Sequence, residues 1–194
     1  MAEKRLGQLL GNLLTVLIAA LTVAYPFLVW FSLDYFQPRV LALILAGLFL
    51  SRFLLRGSHA PVRGMMGLMV PACVLFLLAV ALINQTEWLL IYPVFVSLSF
   101  FTVFVLSLLY PPPVVERLAR LEDPDLPPKG VAYTRKVTQV WSLFFLCNAA
   151  VSLFTVWYGD RWLWSFYNGC VFYLVMGLVM AVEMAVRRKV KASY

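Results

Sequence analysis

Long apolar runs separated by short polar turns dominate this chain. The runs cover residues 9–30, 40–55, 65–83, 88–110, 137–158 and 162–186. A helix needs about 20 apolar residues to cross the ~30 Å hydrocarbon core of a bilayer, and most of these runs have that length. The pattern therefore predicts an all-α membrane protein: a single integral membrane domain, residues 1–194, folded as a polytopic bundle of six transmembrane helices.

One long stretch, residues 111–136, is too polar to lie in hydrocarbon. Three consecutive prolines, Pro111 to Pro113, end the fourth predicted span, because a proline run cannot continue a helix. After them, apolar side chains recur at helical spacing among charged ones, at Val114, Val115, Leu118 and Leu121. The segment is predicted to be a loop that carries a short amphipathic helix at the membrane surface.

The basic residues fall almost entirely on one side of this topology. Fourteen of the sixteen lysines and arginines lie at the termini, at the end of the second span, in the second loop or in the central segment, and only Arg39 and Arg161 lie on the other side. Positive charge marks the cytoplasmic side. Both termini and the central segment are therefore predicted to be cytoplasmic.

Composition supports a membrane protein over a soluble one. The chain is 63% apolar and 13% charged, whereas a soluble domain is about 45–50% apolar and about 25% charged. The net charge of +7 could indicate nucleic acid as a partner, but the charges sit in short clusters between apolar runs, with no basic helix exposed to water. No nucleic-acid partner is expected. The three cysteines lie within apolar runs without metal-ligand spacing and are expected to be buried thiols.

The central segment holds the first candidate binding residues. Glu116, Arg117 and Arg120 are predicted to lie over a lipid headgroup or the polar end of an acyl chain. Alternatively, the segment is a surface connector whose charges are solvated.

The last predicted hairpin holds the second set. Asn148 and Asn168 flank the turn at Asp160, and a count along the two helices predicts that they lie at similar depth and hydrogen-bond to each other, since an unpaired amide in lipid is costly. Two roles are compatible with such a pair, which are holding the two helices together and binding a ligand. Trp141, Ser152 and Thr155 are predicted to share the face of Asn148.

Small residues form a stripe on the opposite face of the sixth span, at Gly177, Ala181 and Ala185. Such a stripe lets another helix approach closely. Gly7 with Gly11, and Ala42 with Ala46, offer matching surfaces, and the stripe is also compatible with a homo-oligomer.

Glu183 is the only acidic residue within the apolar length of a span, which makes it a candidate for function. It lies four residues before Arg187 and, across the hairpin, near Arg135 and Lys136. It is expected either to anchor the hairpin base through an ion pair or to bind a ligand. His59, the only histidine, lies in a loop.

Familiar catalytic patterns are missing from the sequence. There is no G-x-S-x-G, H-E-x-x-H or P-loop pattern, and no D-x-x-x-D pair in a cytoplasmic loop. No catalytic residue, cofactor or metal ligand is therefore assigned.

The C-terminal 85 residues or so resemble a family of bacterial inner-membrane proteins. Their genes are often found among fatty-acid-synthase-like genes for aryl-polyene or xanthomonadin-type pigments. The resemblance is carried by Tyr110 to Pro113, Glu116 to Arg120, Asp123 to Pro128, Tyr133 to Thr138 with Trp141, Phe144, Phe145 and Asn148, Tyr167 to Gly169, and Glu183. It implies a Gram-negative inner membrane and a lipid-like pigment pathway, and it supplies no established active site.

Three functional hypotheses are compatible with these features. The first is an accessory or transport protein that handles an aryl-polyene-type lipid or scaffolds its biosynthetic enzymes. Its partners would be membrane lipids, cytoplasmic lipid-biosynthesis enzymes or an acyl carrier protein, and the central segment would meet the partner or headgroup through Glu116, Arg117, Arg120 and Arg135. The second is an enzyme acting on a lipid or acyl carrier at the cytoplasmic face, with Glu116, His59 or Glu183 as acid or base. The third is a purely structural envelope protein.

Overall fold

The fold is known from a computed structural model that describes residue 31 and residues 35–55 and 63–193. Within that part every regular element is helical. The helices are α1 (Pro38–Leu55), α2 (Arg63–Ile83), α3 (Thr86–Leu90), α4 (Tyr92–Leu109), α5 (Val114–Glu122), α6 (Pro128–Tyr158), α7 (Arg161–Phe166), a π-helix (Tyr167–Val171) and α8 (Phe172–Lys191). The predicted first span, residues 9–30, lies outside the described residues.

Three stretches of the described chain are helices long and apolar enough to cross a membrane: Thr86–Leu109, Pro128–Tyr158 and Arg161–Lys191. They correspond to the predicted fourth, fifth and sixth spans. Residues Pro38–Ser51 of α1 and Met69–Ile83 of α2 form shorter apolar helices. The all-α fold and the membrane-protein class are thus confirmed.

The central segment is more helical than predicted. The short helix is present as α5, but α6 begins at Pro128, whereas the fifth span was predicted to begin at residue 137. Proline is favoured at the first helical position, because its fixed φ suits a helix and the first turn has no partner for its N–H group. The first two turns of α6 therefore extend the spanning helix beyond its apolar part.

The turn between α6 and α7 depends on two residues. Gly159 ends α6 in the left-handed conformation, with φ of +82°, which glycine adopts without a steric penalty. Asp160 then caps α7, because its carboxylate accepts hydrogen bonds from the backbone N–H groups of Trp162 at 2.8 Å and Leu163 at 3.2 Å.

The helices pack in a row. α1 lies against α2, α2 against α4, and α4 most extensively against α6, while α8 makes few contacts with α6. No residue of α8 is buried. One apolar cluster joins α1, α2, Leu89, Tyr92 and Trp164. It lies near the ends of the helices on the side of the Gly159 turn. A second cluster, built on Val115, Val137, Trp141 and Phe145, joins the other end of α4 and α6 to α5.

Within the described residues the small-residue stripe does not pack on Ala42 and Ala46, and the other predicted partner, Gly7 with Gly11, lies outside the described residues. Gly177, Ala181 and Ala185 are exposed, and a Cβ atom added at Gly177 would meet nothing within 4 Å. Ala42 and Ala46 are buried, but against α2 rather than against α8. A stripe of small residues permits close approach without supplying a partner, so the pattern alone did not determine the contact.

Candidate functional site

The predicted binding residues of α5 have partners within their own segment. Glu116 is only 6% exposed, and its carboxylate accepts from Arg120 Nε at 2.9 Å and Nη2 at 2.8 Å. Arg120 also donates to the carbonyl of Pro124 at 3.0 Å, and Arg117 donates to the carbonyl of Pro112 at 2.7 Å. Arg120, which is paired with Glu116, therefore holds α5 to the turn that comes after it, and Arg117 holds α5 to the proline turn before it.

Two faces of α5 have different environments. Val114, Val115 and Ala119 are buried with Glu116 on the inner face. On the outer face, Leu118 is 41% and Leu121 is 56% exposed. The predicted amphipathic helix is thus present, but its charged and apolar residues are arranged differently from expectation, with an ion-paired acid inside and two leucines outside.

Glu183 lies at the base of α8 and is bonded across to α6. Its carboxylate accepts from the Tyr133 hydroxyl at 3.2 Å and lies 3.4 Å from Arg187 Nε. The hydroxyl also lies 3.1 Å from the Glu183 carbonyl oxygen. The predicted pairing with Arg187 is confirmed.

The predicted approach of Glu183 to Arg135 and Lys136 is wrong. Both basic side chains are exposed, and within the described chain neither forms an ion pair with Glu183. Residues 133 and 135 point about 200° apart on a helix. Since Tyr133 faces α8, Arg135 faces away from it.

The two asparagines do not bond to each other, so the predicted pair is wrong. Asn168 accepts from the Ser152 hydroxyl at 2.8 Å and donates to the Trp164 carbonyl at 2.8 Å. Asn148 donates to the Ser97 hydroxyl of α4 at 2.8 Å and accepts from the Tyr167 hydroxyl at 3.0 Å. The reason is depth, because Ser152 and Asn168 are both eight residues from Asp160, whereas Asn148 lies one turn farther along α6.

These residues form one polar cluster inside the helix row. Both amides are buried, as are Ser97, Ser152 and Thr155, while Tyr167 is half-buried, and each amide is hydrogen-bonded. Trp141, Asn148, Ser152 and Thr155 are all buried on α6, which confirms their predicted common face. The cluster ties α4, α6 and the π-helix together. Hydrogen bonds between buried polar side chains hold helices together in lipid.

The π-helix changes the register of the sixth span. A π-turn takes more residues per turn than an α-turn, so it shifts the register of the residues after it. Asn168 within the π-helix and Phe172 and Glu183 beyond it contact α6, whereas Trp164 before it packs into the cluster with α1 and α2. Phe172 stacks on Phe144 with ring centroids 5.9 Å apart.

Several residues of this arrangement were missed by the sequence analysis. Ser97 and Tyr167 complete the bonds of Asn148, Tyr133 binds Glu183, and the Trp164 indole donates to the Leu90 carbonyl at 3.0 Å. Of these residues, only Ser97 could have been predicted from the sequence. A buried amide needs a hydrogen-bond partner, and α4 is a neighbouring span with hydroxyl groups.

Among the described residues, no group of three His, Cys, Asp or Glu side chains could hold a metal ion. All three cysteines are free thiols. Cys73 is buried as predicted, but the prediction of a buried thiol is wrong for Cys147, which is exposed, and for Cys170, which is half-buried. His59 lies outside the described residues.

Comparison with known proteins found no match to a protein-family model, a curated protein or a solved structure.

Proposed function

We propose that the protein is an integral inner-membrane accessory or transport protein, which handles a lipid-like substrate of the aryl-polyene type or scaffolds the enzymes that make it. In this proposal six helices cross the membrane and both termini are cytoplasmic. The asymmetric placement of the basic residues supports that orientation.

The observation that carries the proposal is the outer face of α5. Leu118 and Leu121 are exposed there, and Arg117 is partly exposed beside them. A surface helix with apolar and basic side chains on one face interacts with amphiphiles, because the apolar groups take the chain and the cation takes an acidic head. The inner face holds α5 rigidly on α4 and α6, so the outer face is presented in a fixed position.

A photo-cross-linking experiment tests this proposal. A photoreactive amino acid is placed at Leu118 or Leu121 in the native host, with Leu75, a 66% exposed residue of α2, as the matched control. Adducts with a polyene acyl chain, or with an acyl carrier protein or a biosynthetic enzyme, are expected at the α5 positions only. Bulk phospholipid alone at all three positions would contradict the proposal.

The alternative is an enzyme that uses Glu116, His59 or Glu183 as acid or base. In the structure Glu116 and Glu183 are both engaged in ion pairs, so catalysis would require them to be released. Glu116→Gln is expected to leave in-cell pathway output near its normal level, and a complete loss of output at normal protein abundance would favour the enzyme.

A further inference from the structure

A small cleft opens between α5, the start of α6 and the C-terminal end of α8. Its walls carry opposite charges: Glu122 and Asp123 lie on the side of α5, and Arg187 and Lys191 lie on the side of α8. Tyr133 of α6 lies between them. We propose that this cleft binds the zwitterionic headgroup of a phospholipid with a primary amine, such as phosphatidylethanolamine.

The charge arrangement gives the headgroup its orientation. A phosphate placed toward α8 meets Arg187 and Lys191, and an ammonium placed toward α5 meets Glu122 and Asp123. Charge-assisted hydrogen bonds are stronger than neutral ones, and a primary ammonium can donate three of them. A headgroup without an amine would satisfy only one wall.

The contacts now in the cleft leave room for this exchange. Lys191 Nζ lies 3.4 Å from the Glu122 carboxylate, with the two side chains 47% and 63% exposed, and an ion pair so exposed contributes little to stability. Asp123 makes no ion pair within the described chain. A ligand can therefore replace the Glu122–Lys191 contact without leaving either charge buried and alone.

Location argues for a lipid rather than a soluble molecule. The cleft lies where the apolar length of α8 ends, and Met180 and Met184, which share the face of Arg187 and Lys191 at helical spacing, are each 45% exposed. A headgroup in the cleft would place its acyl chains along this apolar surface. The enclosed space is about 20 Å³, which holds one small charged group, so the ammonium enters the cleft while the phosphate lies at its rim beside Arg187 and Lys191. The inference is independent of the α5 outer face and of the proposed function.

The test is native mass spectrometry of the full-length protein in mixed micelles of phosphatidylethanolamine and phosphatidylglycerol with identical acyl chains. Wild type is expected to retain phosphatidylethanolamine about tenfold better, the factor that corresponds to one charge-assisted hydrogen bond. Asp123→Asn should abolish that preference, and Lys191→Gln should weaken retention of both lipids.

Matched controls remove the same charges outside the cleft. Asp125→Asn and Lys189→Gln change exposed residues that do not line it, and both should behave as wild type. Equal retention of the two lipids by wild type, or equal effects of the cleft and control substitutions, would overturn the proposal. Complete displacement by millimolar glycerophosphoethanolamine would also overturn it, because the ligand would then be a soluble molecule.

Discussion

The side-chain amide of Asn148 donates a hydrogen bond to the hydroxyl of Ser97 across 2.8 Å, and this bond joins two helices whose residues are 51 positions apart. The Ser97 hydroxyl in turn donates to the Pro93 carbonyl at 2.8 Å. The amide oxygen of Asn148 accepts from Tyr167. One side chain thus connects the α4–α6 contact with the π-helix of the last span.

Asn148→Leu is therefore expected to destabilise the fold by about 1–2 kcal/mol, because it leaves the Ser97 and Tyr167 hydroxyls without their partner. Unfolding of the purified protein in detergent measures the effect. Cys147→Leu, at the exposed neighbouring position, is the control. In a double-mutant cycle, Ser97→Ala should cost less in the Asn148→Leu background than in wild type, and simple additivity would show that the bond contributes no stability.

Trp164 is the largest fully buried side chain in the described chain, at 1% exposure, and it fills the apolar cluster beside the Gly159 turn. Trp164→Ala is expected to cost about 3–5 kcal/mol, since it removes a large buried ring and leaves a cavity. Trp162→Ala, at a position 58% exposed, should change the free energy of unfolding by less than about 1 kcal/mol. Similar losses for the two variants would mean that the cluster does not hold α7 in place.

The most predictable parts of this fold are those determined by apolar length and by local turn chemistry. The last three spans and the α5 helix were predictable from hydropathy and helical spacing, and the Gly159–Asp160 turn from a polar break between two runs. The start of α6 was missed because charged residues occupy its first turns, where an apolar run is not required.

The candidate site was less predictable, because its bonds depend on register between distant residues. A one-turn error in depth turned the Ser152–Asn168 bond into a predicted asparagine pair. The π-helix cannot be read from spacing at all, since a count at 100° per residue assumes that the helix is regular. Arg135 was predicted to lie near Glu183 from its position along the hairpin. The face of α6 that contacts α8 carries Tyr133, however, and Arg135 points away from it.

Gly159 and Gly177 offer the same substitution in opposite backbone conformations. Gly159→Ala is expected to destabilise the protein by about 1–2 kcal/mol, because an L-residue pays a steric penalty at φ of +82°. Gly177→Ala lies within α8 with open space around it and should be neutral or stabilise by up to about 1 kcal/mol. Thermal unfolding in the same detergent compares them, and a large loss at Gly177 would reveal a partner packed closely on the stripe.

Tyr133 is expected to attach the C-terminal half of α8 to α6. Tyr133→Phe keeps the ring and removes the bond to Glu183, so the amides from Glu183 to Lys191 should exchange hydrogen faster while those of α4 do not change. Tyr110→Phe, at a position 71% exposed, should leave exchange in α8 as it is. Unchanged exchange in Tyr133→Phe would assign the attachment of α8 to the Phe144–Phe172 stack instead.

The ends of α6 provide the decisive test of orientation. Lys129 and Tyr158 are exposed residues at opposite ends of this helix, and the asymmetry of basic residues predicts that Lys129 lies in the cytoplasm. In a background with Cys73, Cys147 and Cys170 replaced by alanine, a cysteine at Tyr158 should react with a membrane-impermeant thiol reagent in intact spheroplasts. A cysteine at Lys129 should react only after the membrane is opened.

Labelling of both positions in intact spheroplasts would mean that α6 does not cross the membrane. Labelling of Lys129 alone would place α5 and the headgroup cleft on the opposite side from the cytoplasmic enzymes, which would exclude the scaffold role.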